Sequence, residues 1–112
     1  MDRLNFRVKL SPDQAANELE SYIVSKSVST ELIDRYEQNS SEHMVIVLVF
    51  EKYYMRNSSR ASLTVTIENL SDVTCVHAVG SGGGQGAIFK FDWGAGASFV
   101  EEVNKALSEY RY

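Results

Sequence analysis

The sequence is poor in cysteine, in basic charge and in long apolar runs. Its single cysteine, Cys75, excludes a disulfide within the chain. Its 11 Lys and Arg are outnumbered by 15 Asp and Glu, and the net charge is −4. No run of Lys or Arg compensates, so a nucleic-acid partner and docking to an anionic membrane are both disfavoured. The longest apolar run, residues 44–50, is too short to span a bilayer. The first six residues lack the apolar run of a signal peptide, so we expect a cytoplasmic protein.

The apolar pattern predicts a single α+β domain over residues 1–112. Strands are expected at residues 4–8, 28–37, 43–55, 62–70 and 73–79, and a short one near 88–93. Tight turns between the middle strands favour an antiparallel meander. Helices are expected over 12–26 and from Ser98 onward, because Ser11 with Gln14 and Ser98 with Glu101 both fit the capping-box pattern. The result is an antiparallel sheet of five or six strands with two helices packed on one face.

Glycine is concentrated in one segment, residues 80–86, which holds five of the seven glycines in the chain. Five alanines in place of these glycines, where the backbone allowed them, would stabilise the fold by roughly 2–5 kcal/mol. Successive backbone N–H groups there could bind an anion. A phosphate loop requires Lys and Ser or Thr after its last glycine, whereas Ala87 and Ile88 follow here. A dinucleotide fingerprint requires a helix, whereas a strand pattern follows. A mobile connection, a ligand contact and a catalytic loop all stay open, and the connection is favoured.

The leading functional hypothesis is a non-enzymatic binding module without a cofactor or metal. Its site would lie between the glycine-rich segment, the aromatic strand and the C-terminal helix, and its ligand would be small and either apolar or anionic. The residues proposed to bind are Gly82, Gly83, Gly84, Gln85, Gly86, Phe89, Phe91 and Trp93.

Two alternatives belong to other functional classes. One is a homo-oligomer formed through an exposed strand edge or the aromatic strand. The other is a small enzyme that uses Cys75 and His77, which share a strand face. For that pair, a buried thiol beside a hydrogen-bonded histidine is the favoured interpretation. His43, beside a turn, is expected to be solvated, and Lys52 is expected on a solvated face with the scattered carboxylates.

Three resemblances accompany these patterns. The segment 80–86, with Phe91, Asp92, Trp93 and Gly94, resembles a family of small uncharacterised proteins from Gram-positive bacteria, which implies a bacterial cytosolic protein and no site residues. The element order resembles the TATA-binding-protein-like and helix-grip folds, whose larger members enclose an apolar ligand cavity. Residues 82–88 with Lys90 resemble the glycine-rich loop of the birch-pollen-allergen family. In that family several more strands follow the loop, so this likeness is taken as convergent and no binding residue is carried over.

Overall fold

The protein is a two-layer α+β domain, as the sequence predicts. The computed structural model describes residues 2–55, 58–82 and 95–112. Within them the order is β1 (Asp2–Val8), α1 (Pro12–Ser25), β2 (Thr30–Asn39), β3 (Met44–Tyr54), β4 (Ser59–Glu68), β5 (Thr74–Ser81) and α2 (Ala95–Leu107), followed by a 3₁₀ turn, Ser108–Tyr110. The strands form one antiparallel sheet in the order β1-β5-β4-β3-β2. The sixth strand expected near 88–93 lies outside the described residues.

The core lies between the sheet and the two helices. Alternate residues of β3 and β4 are fully buried, because successive side chains of a strand point to opposite faces. One apolar cluster joins these strands to both helices, and its largest members are Phe50, Phe99, Leu19, Ile23, Ile46, Leu48, Leu63, Ile67 and Leu107. Both helices therefore cover the same face of the sheet, which confirms the predicted layering.

Helix α1 begins where the sequence predicts. Pro12 occupies its first turn, and the Gln14 Oε1 atom accepts a hydrogen bond from the Ser11 backbone N–H at 3.2 Å. The Ser11 hydroxyl donates to Asp13 Oδ1 at 2.8 Å. This hydrogen bond is the main reason that the pKa of Asp13 lies below its ordinary value of 3.8.

The predicted start of the second helix is wrong. α2 begins at Ala95, so Ser98 lies inside the helix and cannot be its N-cap. The Glu101 side chain accepts a hydrogen bond from Asn104 at 3.0 Å instead. The helix was expected to begin only at Ser98, whereas residues 95–97, which include one glycine, already belong to it. A glycine costs a helix only about 1 kcal/mol relative to alanine, and alanine on either side is the best helix former.

Strand β2 carries an irregularity that the sequence did not predict. Its pairing with β3 shifts between Leu32 and Asp34, so Ile33 is an additional residue without a partner in the register. Ile33 and Tyr36 are exposed by 50% and 52%. The face of the sheet opposite the helices is covered by no element among the described residues. No helix in the described part of the chain is long and apolar enough to cross a membrane.

Candidate functional site

A charged pair lies on the helix-facing side of the sheet, at the end where β3 finishes. The inward positions of β3 run through Phe50 to Lys52 and Tyr54. The Lys52 Nζ atom donates to Glu102 Oε2 of α2 at 3.2 Å. The two side chains are only 17% and 16% exposed, so water screens their charges weakly. The pair joins α2 to the sheet beside the fully buried Phe99.

Two aromatic rings lie close to the Lys52 ammonium group. Its Nζ atom lies 5.4 Å from the ring centroid of Tyr54 and 5.9 Å from that of Phe99. A cation at these distances is attracted to the negative face of a ring by about 0.5–2 kcal/mol, and more strongly as water is removed. The site therefore combines one cation, one carboxylate and apolar walls.

Two buried polar atoms at this pair have no hydrogen-bond partner among the described residues. They are Glu102 Oε1 and Thr30 Oγ1, and both atoms are fully buried. Thr30 lies directly opposite Lys52 in the β2–β3 register, and opposed residues of neighbouring strands have Cβ atoms only about 5 Å apart. Each buried polar atom without a partner costs about 1–3 kcal/mol. A bound group that donates a hydrogen bond to Glu102 Oε1 would remove that cost.

Of the eight binding residues proposed from the sequence, one lies within the described part of the chain. Gly82 follows Ser81, the last residue of β5, and is half-buried. The other seven, Gly83, Gly84, Gln85, Gly86, Phe89, Phe91 and Trp93, lie outside the described residues. The glycine-rich hypothesis for them therefore stays a prediction.

Cys75 and His77 share one face of β5, as the alternation predicts, and this face is the one opposite the helices. The Cys75 thiol, which was expected to be buried, is half-buried. His77 Nδ1 is hydrogen-bonded to Asn5 Oδ1 of the neighbouring strand β1. The Cys75 Sγ atom donates to the Val73 carbonyl oxygen at 3.6 Å. Cys75 and His77 are therefore each hydrogen-bonded to a different residue and not to each other. Neither of these hydrogen bonds activates the thiol.

The turns and the outer face of α1 form further polar surfaces. His43, which was expected to be solvated, is half-buried, and its Nε2 atom lies 3.0 Å from Asp72 Oδ1. An open depression of about 480 Å³ on α1 is lined in part by Asn17 and Glu20. Both bind Arg35, whose Nη1 atom lies 2.9 and 3.0 Å from their oxygens. Burial acts to lower the pKa of Arg35, but hydrogen bonds to Glu37 and Glu20 outweigh it, and the pKa is raised.

Sequence reasoning missed the charged pair, although a signal was present. Lys52 continues the inward alternation of β3, two residues beyond Phe50, where an apolar residue is expected. Glu102 lies three residues after Phe99, on the apolar stripe of α2. A charge at an inward position of each of two neighbouring elements predicts an ion pair between them. The assignment of Lys52 to a solvated face is therefore wrong.

The comparisons with known proteins identify a family. No curated protein and no solved structure matches the chain significantly. Residues 1–111 match a family described as of unknown function, DUF6054, which agrees with the expected resemblance to an uncharacterised family over the full length. The chain therefore belongs to the DUF6054 family.

Proposed function

We propose that this protein is a non-enzymatic binding module, whose site is built around Lys52, Glu102 and Thr30. The observation that carries the proposal is the buried Glu102 Oε1 atom, which lies at a site with a cation and two aromatic rings and has no hydrogen-bond partner within residues 2–55, 58–82 and 95–112. Polar atoms left without partners in the interior are uncommon, and a functional site is one reason for them.

The chemistry of the site favours a ligand with a hydrogen-bond donor attached to an apolar body. A hydroxyl, amide or ammonium group would donate to Glu102 Oε1, while the rings of Tyr54 and Phe99 supply apolar contact. Ligand sites commonly combine mostly apolar walls with a few polar groups that fix orientation. An anionic ligand, the other class expected from the sequence, would approach the Lys52 ammonium and be repelled by the neighbouring carboxylate. The donor-bearing ligand is therefore our first choice.

The location agrees with the sequence hypothesis in one respect. Gly82 and the start of α2 bracket the segment that holds the glycine-rich and aromatic residues, and Glu102 belongs to that helix. Participation of Phe89, Phe91 and Trp93 is a further part of the proposal. We also propose a TATA-binding-protein-like or helix-grip classification, which the β-α-β4-α order of elements supports. A bacterial, cytoplasmic origin is a further part of the proposal.

Three probes of contrasting chemistry test the binding proposal. 1-Octanol carries a donor on an apolar chain, octanoate replaces the donor with an anion, and inorganic phosphate is an anion alone. We expect octanol to raise the melting temperature and to shift the backbone amide signals of Lys52 and Glu102 in NMR spectra, because a ligand that binds only the folded state stabilises it. Trp93 fluorescence reports whether the aromatic segment takes part.

Two variants make the test specific. Glu102→Gln removes the charge but keeps the size, and should weaken octanol binding. Glu101→Gln, one residue earlier on the exposed side of α2, is the matched control and should bind as the wild type does. If none of the three probes changes the melting temperature, the amide signals or the Trp93 emission, the binding proposal fails. Binding of octanoate alone would reverse our choice of ligand class.

A further inference from the structure

The second face of the sheet is partly apolar and uncovered among the described residues. We call it the open face: the side of the five strands opposite α1 and α2. On the two strands that flank the central β4, Val45, Val47 and Val49 of β3 and Val79 of β5 are half-buried. At its β2 edge Tyr36 is 52% exposed. The three accessible valines of β3 form an apolar strip of the kind that another surface covers.

The two edges of the open face carry opposite charges. β1, at one edge, presents the exposed Arg3 and Arg7, and β2, at the other, presents the exposed Asp34. None of these side chains forms an ion pair with another described residue. The register places Arg3 and Asp34 at the two ends of one row across the sheet, which reads Arg3, Val79, Thr64, Val49, Asp34.

This pattern is complementary to itself. A two-fold axis that runs parallel to the strands, along β4, places β1 of one copy over β2 of the other and β5 over β3. Arg3 then meets Asp34 of the second copy, and Val79 meets Val49. An axis perpendicular to the strands would place β1 over β1 and bring arginines together. Like charges opposed across an interface are strongly unfavourable.

We propose that two copies of this chain pair face to face through their open faces, about an axis parallel to the strands. The contact is isologous, so each Arg3–Asp34 pair occurs twice. The β3 valines and Val79 of β5 form its apolar contacts on either side of β4, and the charged pairs at both edges select the orientation. Face-to-face packing of two sheets is a common way to bury a half-apolar face.

The size of the face predicts a weak dimer. Five strands about 4.8 Å apart and seven residues at about 3.3 Å each give a face of roughly 20 Å by 20 Å. Stable interfaces bury about 800 Å² per partner, and smaller ones are transient. Glu68, on β4, would also approach its own copy near the axis and oppose the contact. We therefore expect a dimer that forms only as the concentration rises, and that high salt weakens.

Charge reversal tests the proposal through sedimentation velocity over a range of concentrations. The wild type should approach twice the monomer mass. Arg3→Glu and Asp34→Arg should each raise the dissociation constant at least about tenfold, because each creates two repulsive contacts. Mixing the two variants should restore association. The glutamate introduced at position 3 of one chain then meets the arginine introduced at position 34 of the other, and the reverse pair is the native one.

Matched control variants distinguish the loss of the Arg3–Asp34 contact from a general effect of changed charge. Lys105→Glu and Glu18→Arg change the same charges on the exposed sides of α2 and α1, and should dimerise as the wild type does. Circular dichroism verifies that every variant is folded. A wild type that stays monomeric at the highest concentration overturns the proposal. A dimer that persists in the Asp34→Arg variant also overturns the proposal. Association through the edge strand β2 or through another surface would then explain that dimer.

Discussion

The ion pair between Lys52 and Glu102 should show strong energetic coupling. Fully exposed pairs contribute about 0.2–1 kcal/mol, and removing one partner of a fully buried pair costs about 3–5 kcal/mol. Here the side chains are 17% and 16% exposed, which is close to burial but not complete. We therefore expect Lys52→Met and Glu102→Leu each to lower the free energy of unfolding by about 1–3 kcal/mol.

The double variant distinguishes coupling from ordinary loss of contacts. Replacement of both charges by apolar side chains removes the isolated charge that each single variant leaves behind, and such exchanges are often neutral. The double variant should therefore unfold with a free energy close to that of the wild type. With a neutral double variant, the coupling energy of the cycle equals the sum of the two single losses, about 2–6 kcal/mol.

Urea denaturation followed by circular dichroism measures all four proteins. Equal slopes of unfolding free energy against urea are the check that the compactness of the states is unchanged. If the two single effects simply add to within about 0.5 kcal/mol, the pair is not coupled and the reasoning is refuted. A matched comparison is the exposed pair of Arg60 and Glu51, 2.8 Å apart, for which a coupling below about 1 kcal/mol is expected.

Three further predictions concern other parts of the chain. Phe50→Ala should destabilise by about 3–5 kcal/mol in urea denaturation, because Phe50 is fully buried; a loss below about 1 kcal/mol would contradict its place in the core. Ser11→Ala should raise the pKa of Asp13 toward 3.8 in an NMR titration. Because the folded pKa is the lower one, this carboxylate stabilises the fold above pH 3.8 and loses its effect as the pH falls through the folded value. Glu109→Gln should lower the pKa of the half-buried Tyr110, which the Glu109 charge raises above 10.0, and NMR signals of the ring would report an unchanged value if that cause is wrong.

The fold could be predicted from the sequence where one local signal was clear. The alternation of Leu63, Val65 and Ile67 in β4 agrees with their complete burial. The start of α1 at Pro12 agrees with the capping pattern of Ser11 and Gln14. In these places the local pattern and the tertiary structure require the same conformation, as is usual in proteins that fold uniquely.

The predictions failed where tertiary contacts or a weak local signal decided. Ser98 fits a capping pattern, but the helix extends N-terminal to it. The bulge at Ile33 depends on the pairing of β2 with β3, and a single strand contains no information on its register. Most of the glycine-rich site stays a prediction, because only Gly82 of its proposed residues belongs to the described part of the chain.

The sequence by itself determined the elements, their order and the layer that each one belongs to, because alternation and helical spacing are local properties. Only the tertiary structure showed that Lys52 of β3 meets Glu102 of α2, since the two residues are fifty positions apart. Only strand order showed that Arg3 and Asp34 lie at opposite edges of one row. Both candidate surfaces depend on such contacts between distant residues, and long-range contacts follow from the packing of whole elements.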